Sequence, residues 1–104
     1  MNINERIEKL DLTTFKPFKN RKGLIAFNSG NGTSFYRLYN TNILVINEKY
    51  IQLNTDGFTT NHTKNCMNDN LPDGYSVYQK DFKWYVNTPE GIRDFEDNMI
   101  IRRF

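Results

Sequence analysis

Eight Phe, six Tyr and one Trp stand in a chain of 104 residues whose single alanine is Ala26. Aromatic and β-branched side chains suit a pleated, half-buried surface, and alanine is the strongest helix former. A chain so rich in the first and so poor in the second is constrained toward sheet. Its length allows one hydrophobic core, so one domain is expected over residues 1–104.

The alternation of apolar and polar residues places the strands. Leu24–Phe27 reads as a short strand, followed by the turn formers Asn28-Ser29-Gly30-Asn31-Gly32. Gly30 and Gly32 have the spacing of a phosphate loop, but no helix start or basic residue follows, so a plain loop is expected. From Phe35 to Tyr39, residues 35, 37 and 39 share one face and Tyr36 and Leu38 the other. Ile43–Ile46 is a buried strand, and Tyr50–Leu53 returns with Ile51 and Leu53 inward, a meander signal. Tyr75–Lys80 and Phe82–Asn87 form a close hairpin around Asp81, with Phe82, Trp84 and Val86 inward and Lys83 and Tyr85 outward. Thr88-Pro89-Glu90-Gly91 is a turn, and Ile92–Phe95 and Met99–Arg103 close the chain.

Between Gly57 and Gly74 the period changes. Thr63, Cys66, Met67, Asn70 and Leu71 follow helical spacing, while Lys64, Asn65, Asn68 and Asp69 face away. Thr59, Thr60 and Asn61 can all cap, and Leu71-Pro72-Asp73-Gly74 stops the helix, which is placed at about 60–71. Asn4–Leu10 can form a short N-terminal helix, with Phe15–Phe18 as an extended linker. The expected fold is α+β: a curved antiparallel sheet of about six strands with the main helix on one face.

Few residues offer chemistry. His62 is the one histidine and has no set of partners, so it is read as a surface or capping residue that is dispensable. Cys66 is the one cysteine and lies on the apolar stripe, which suits a packed thiol. It excludes an internal disulfide and points to a reducing compartment. Asp94, Glu96 and Asp97 sit near a turn and face solvent. The chain is expected to be non-catalytic, with no cofactor and no metal. No apolar run approaches a membrane span and the N-terminus lacks a signal-peptide core, so a cytoplasmic location without membrane attachment is expected.

A net charge of +2 does not by itself point to nucleic acid. The hairpin nonetheless gathers Tyr78, Lys80, Lys83 and Tyr85 on one face, with Arg102 and Arg103 as a basic end beside them. Aromatics interleaved with Lys can stack bases and pair phosphates, or form a protein-binding patch. The plainer reading is one aromatic face in the core and the other in cross-strand pairs.

Gly57–Asn68, with its aromatic at Phe58, its Thr-rich helix caps and its Lys-Asn pair, resembles a motif of small phage and mobile-element proteins. Tyr75–Val86 resembles the hairpin that follows it there, and Leu38–Ile43 a strand element before it. The resemblance covers about residues 36–96, and His62 departs from the Thr expected at its position. It implies a phage-type protein in a host cell, and through small size and missing catalytic groups a binder and inhibitor of a host protein, of anti-defence or host-takeover type. The alternative is single-stranded nucleic-acid binding by the Lys/Tyr hairpin face.

Overall fold

The computed structural model describes residues 13–103. Among them are nine strands and one helix: β1 (Thr13–Phe15), β2 (Leu24–Asn28), β3 (Ser34–Leu38), β4 (Thr41–Ile46), β5 (Tyr50–Leu53), α1 (Asn61–Asn70), β6 (Ser76–Lys80), β7 (Lys83–Thr88), β8 (Gly91–Asp94) and β9 (Met99–Arg102). The strands form two antiparallel sheets, one of six in the order β1-β2-β3-β4-β5-β9 and one of three in the order β6-β7-β8. The expected segment at Asn4–Leu10 lies outside the described residues.

The meander from β2 to β5 follows the alternation in the sequence. Tyr36, Leu38, Ile51 and Leu53 are buried as their parity requires, and Arg37 is exposed. One irregularity adds to the core. Tyr36 pairs with Leu44 but Arg37 pairs with Asn42, so Ile43 has no partner on β3. A bulge of this kind turns two successive side chains the same way, and Ile43 and Leu44 are both buried. Of the stretch Phe15–Phe18, expected as linker, residues 16–18 lie outside strand and helix as expected, and Phe15 is the last residue of β1. There Phe15 packs edge-on against Tyr36, ring centroids 5.7 Å apart, which gives the edge strand an apolar anchor.

The helix begins where the Thr cluster places it. Thr60 is the N-cap, its hydroxyl accepting from the backbone N–H of Thr63 at 3.2 Å. Thr63, Cys66 and Met67 are buried. Burial of the Cys66 thiol pushes its pKa up, as for a packed, unreactive group. Asn68 and Asp69, expected to face away, tie the helix to its surroundings. The Asn68 carboxamide accepts from the backbone N–H of Val77 at 2.7 Å and donates to its carbonyl at 2.8 Å. Arg21 grips Asp69 with Nε at 2.5 Å and Nη2 at 3.2 Å, and this hydrogen bonding holds the Asp69 carboxyl below its ordinary value.

The single expected sheet is therefore two. Asn68 occupies backbone groups on one edge of β6, so the hairpin cannot extend the larger sheet through that strand. β9 takes the place beside β5. One core cluster nevertheless joins the two sheets and the helix, through Leu44, Ile51, Met67, Val77, Trp84 and Val86 among others.

Candidate functional site

The β6–β7 hairpin is the feature that the sequence singled out, and its register explains its surface. Val77 pairs with Val86, Tyr78 with Tyr85, Gln79 with Trp84 and Lys80 with Lys83. Val77, Trp84 and Val86 are buried. Trp84 meets the Phe95 ring edge-on at 5.3 Å, with the Lys64 ammonium 5.7 Å from its ring centroid. Directly opposed residues share a face, so Tyr78, Lys80, Lys83 and Tyr85 come together on the outer side, as expected.

That face is occupied by its own contacts. The tyrosine rings stack on each other, centroids 5.4 Å apart. Lys83 donates to Asp94 at 3.1 Å and lies 5.5 Å from the Tyr85 ring centroid. The hydrogen bond to Asp94 raises the Lys83 pKa, so the ammonium remains charged with a carboxylate beside it. Tyr85 is half-buried rather than fully outward.

Phe82 departs from expectation. Strand alternation places it in the core with Trp84, whereas it is 97% exposed. The pairing of Lys80 with Lys83 leaves Asp81 and Phe82 as a two-residue loop, and both have positive φ, 52° and 65°. That is the signature of a type I′ turn, which suits the twist of the flanking strands and favours Asn-Gly or Asp-Gly. Asp fits the first position. A phenylalanine in the left-handed region at the second is a steric outlier.

Other left-handed non-glycine residues lie near the same loop system. Tyr39 (φ 53°) and Asp56 (φ 51°) line a groove of about 440 Å³ with Phe58 and His62. Asn98 (φ 66°) follows Asp97, which lines a second groove of about 340 Å³ with Phe82 and Trp84. Thr55 lines both. Tyr39 and Phe58 are 58% and 66% exposed. A Cβ on Gly23, itself at φ +80°, would collide with the Tyr39 ring, so a glycine is needed under that aromatic.

One acidic residue of the last loop, Asp97, ties that loop to the segment after β5. Asp97 is exposed, as its place near the turn implies, and its carboxylate also accepts from the backbone N–H and hydroxyl of Thr55, both at 2.8 Å, and from the Gly57 N–H at 3.3 Å. His62 Nε2 lies 2.8 Å from the Lys22 carbonyl oxygen, joining the helix start to the β1–β2 loop. Among the described residues no three His, Cys, Asp or Glu side chains gather where a metal ion could sit. No helix among them is long and apolar enough to cross a membrane.

Arg102 and Arg103 lie elsewhere. They line a groove of about 590 Å³ between β8 and β9, together with Arg93, Ile92, Ile100 and Tyr75. Arg103 donates through Nη1 to the Asn47 carbonyl at 2.9 Å. Arg93, outside the expected basic set, joins the C-terminal arginines because the chain turns back between β8 and β9.

Fold and surface together define a small β-rich domain of two antiparallel sheets sharing one core. The family model described as Kyanoviridae Gp96 protein matches residues 4–102, and the chain belongs to that phage protein family. No curated protein and no solved structure matches it.

Proposed function

We propose that this phage protein is non-catalytic and acts by docking on a protein of the host cell and inhibiting it, as an anti-defence or host-takeover factor. The observation that carries this reading is Phe82: a large aromatic, 97% exposed, held at a hairpin tip in a backbone conformation that favours glycine. Strain of this kind is retained where it serves a purpose, and presented aromatics dominate protein-binding surfaces. Tyr39 and Phe58 extend the same kind of surface on the other side of Thr55.

The alternative, a single-stranded nucleic-acid binder, draws on the face formed by Tyr78, Lys80, Lys83 and Tyr85. It is weakened by the contacts there, since the tyrosines stack on each other and Lys83 is engaged by Asp94. Base stacking and phosphate pairing would have to displace both. The host cytoplasm is the proposed site of action.

Tagged wild-type protein and the Phe82→Ser variant, each used to capture partners from phage-host lysate with and without nuclease, test the proposal. The expected result is a stoichiometric protein partner that survives nuclease and is lost with Phe82→Ser. Recovery that nuclease abolishes, or that Phe82→Ser leaves intact, would overturn it.

A further inference from the structure

The groove between β8 and β9 is bordered by two strand edges with no strand paired to them among the described residues. Hydrogen-bond alternation shows which backbone groups are left over. The Arg103 N–H donates to the Lys49 carbonyl, and the register continues through Ile101 with Ile51 and Met99 with Leu53. In an antiparallel ladder the alternate residues, Ile100 and Arg102, direct their N–H and C=O groups away from β5. On the facing wall the Phe95 N–H donates to the Trp84 carbonyl, so Ile92 and Asp94 direct theirs away from β7.

The side chains around these edges carry a consistent charge. Arg93, Arg102 and Arg103 line the groove against one acid, Glu90, and no hydrogen bond or ion pair engages the Arg93 or Arg102 side chain among the described residues. Ile92 and Ile100, 64% and 54% exposed, supply apolar surface between them.

We propose that the β9 edge is a strand-addition site for an extended acidic segment of a partner protein. The segment pairs antiparallel or parallel with Ile100 and Arg102, making a seventh strand of the larger sheet. Its carboxylates meet Arg102, Arg103 and Arg93, and its apolar side chains lie against Ile92. Unpaired strand groups favour a peptide over nucleic acid, because a peptide returns a donor and an acceptor at every second residue whereas a phosphate backbone returns acceptors alone. The inference shares with the function proposed above only that the partner is a protein, and it uses a different surface.

A displayed library of random peptides about ten residues long, enough for a strand of ordinary length, serves as the probe. Selection on the wild-type protein should enrich peptides in which Asp or Glu alternates with apolar residues. Their binding should slow amide hydrogen exchange at Ile100 and Arg102 and weaken as salt is raised, by screening. Ile100→Pro removes an outward N–H that β5 does not use, a position where an edge strand tolerates proline, and should abolish binding. Its urea midpoint reports whether the fold survives. If it does not, N-methylation of alternate residues in the selected peptide tests the same hydrogen bonds from the other side. Arg102→Glu with Arg103→Glu should weaken binding roughly tenfold or more. Phe82→Ser should leave peptide binding unchanged, which separates failure here from failure of the hairpin-tip proposal. Enrichment of no peptide, enrichment of peptides without acidic residues, binding that survives both Ile100→Pro and N-methylation, or protection of these amides by oligothymidylate in place of peptide would overturn the proposal.

Discussion

Replacing Phe82 by glycine should stabilise the protein while removing its most exposed aromatic. A non-glycine residue in the left-handed region costs roughly 1–2 kcal/mol, and Phe82 sits there at φ 65°. The side chain is 97% exposed, so little burial is lost with it. Glycine adds freedom to the unfolded chain, which costs roughly 0.5–1 kcal/mol in return. The balance spans about 0–1.5 kcal/mol and centres on a gain of about 0.5–1 kcal/mol, and Asp81 followed by glycine is a favoured pair for this turn. For a domain of this size the gain corresponds to a rise in Tm of about 2–8 °C. Urea and thermal unfolding of wild type and Phe82→Gly, followed by far-UV circular dichroism, measure it. Destabilisation by more than about 1 kcal/mol would refute the reasoning, because it would mean that Phe82 packs against something and that its exposure is not available to a partner.

Three further outcomes follow from the contacts. Trp84→Ala, at a buried ring packed on Phe95, should cost about 3–5 kcal/mol in urea unfolding, and a loss under about 1 kcal/mol would contradict the hairpin register. Asp97→Ala leaves the buried Thr55 hydroxyl without its acceptor and should cost about 1–3 kcal/mol, with faster hydrogen exchange at the Thr55 and Gly57 amides as its local signature. Asp69 has a folded-state pKa lowered chiefly by its hydrogen bond from Arg21. Its contribution is therefore present above the unfolded carboxylate value and is lost as pH falls through the folded one. Asp69→Asn should accordingly lower the urea midpoint at neutral pH, with the gap to wild type closing on acidification, and a gap independent of pH would contradict the assignment.

Much of the fold was legible because burial follows local period. Ile51, Leu53, Thr63, Cys66 and Met67 are buried where alternation or helical spacing put them, and Thr60 caps where the Thr cluster stands. The hairpin shows what parity alone misses. Val77-Tyr78-Gln79-Lys80 and Lys83-Trp84-Tyr85-Val86 mirror each other about a point between Asp81 and Phe82, and the strands pair in that register around a two-residue loop. Parity alone makes Phe82 the first inward residue of a strand, whereas the turn leaves it at the exposed tip. The division into two sheets was not legible, because it depends on the Asn68 carboxamide reaching Val77, a contact with no periodic signature. The β8–β9 groove was half visible. Arg102 and Arg103 are adjacent in sequence, while Arg93 joins them only after the chain turns back through Glu96–Met99.

The open edges of β8 and β9 have a second physical explanation, and the two can be told apart. Exposed edges invite unwanted pairing between molecules, and proteins blunt them with short strands and charge. Both strands here are four residues long, and arginines stand along them. Protection alone, however, requires charge and not a particular sign. Arg102→Glu with Arg103→Glu would guard the edge as well as arginine does, so a purely protective role predicts a reversed variant that stays monomeric and loses only the Arg103–Asn47 hydrogen bond. A strand-addition site predicts a variant equally monomeric that has lost its acidic peptide. Both accounts require the edge to stay open in the free protein, and the sign of the charge beside it is what distinguishes a guarded edge from one that selects its partner.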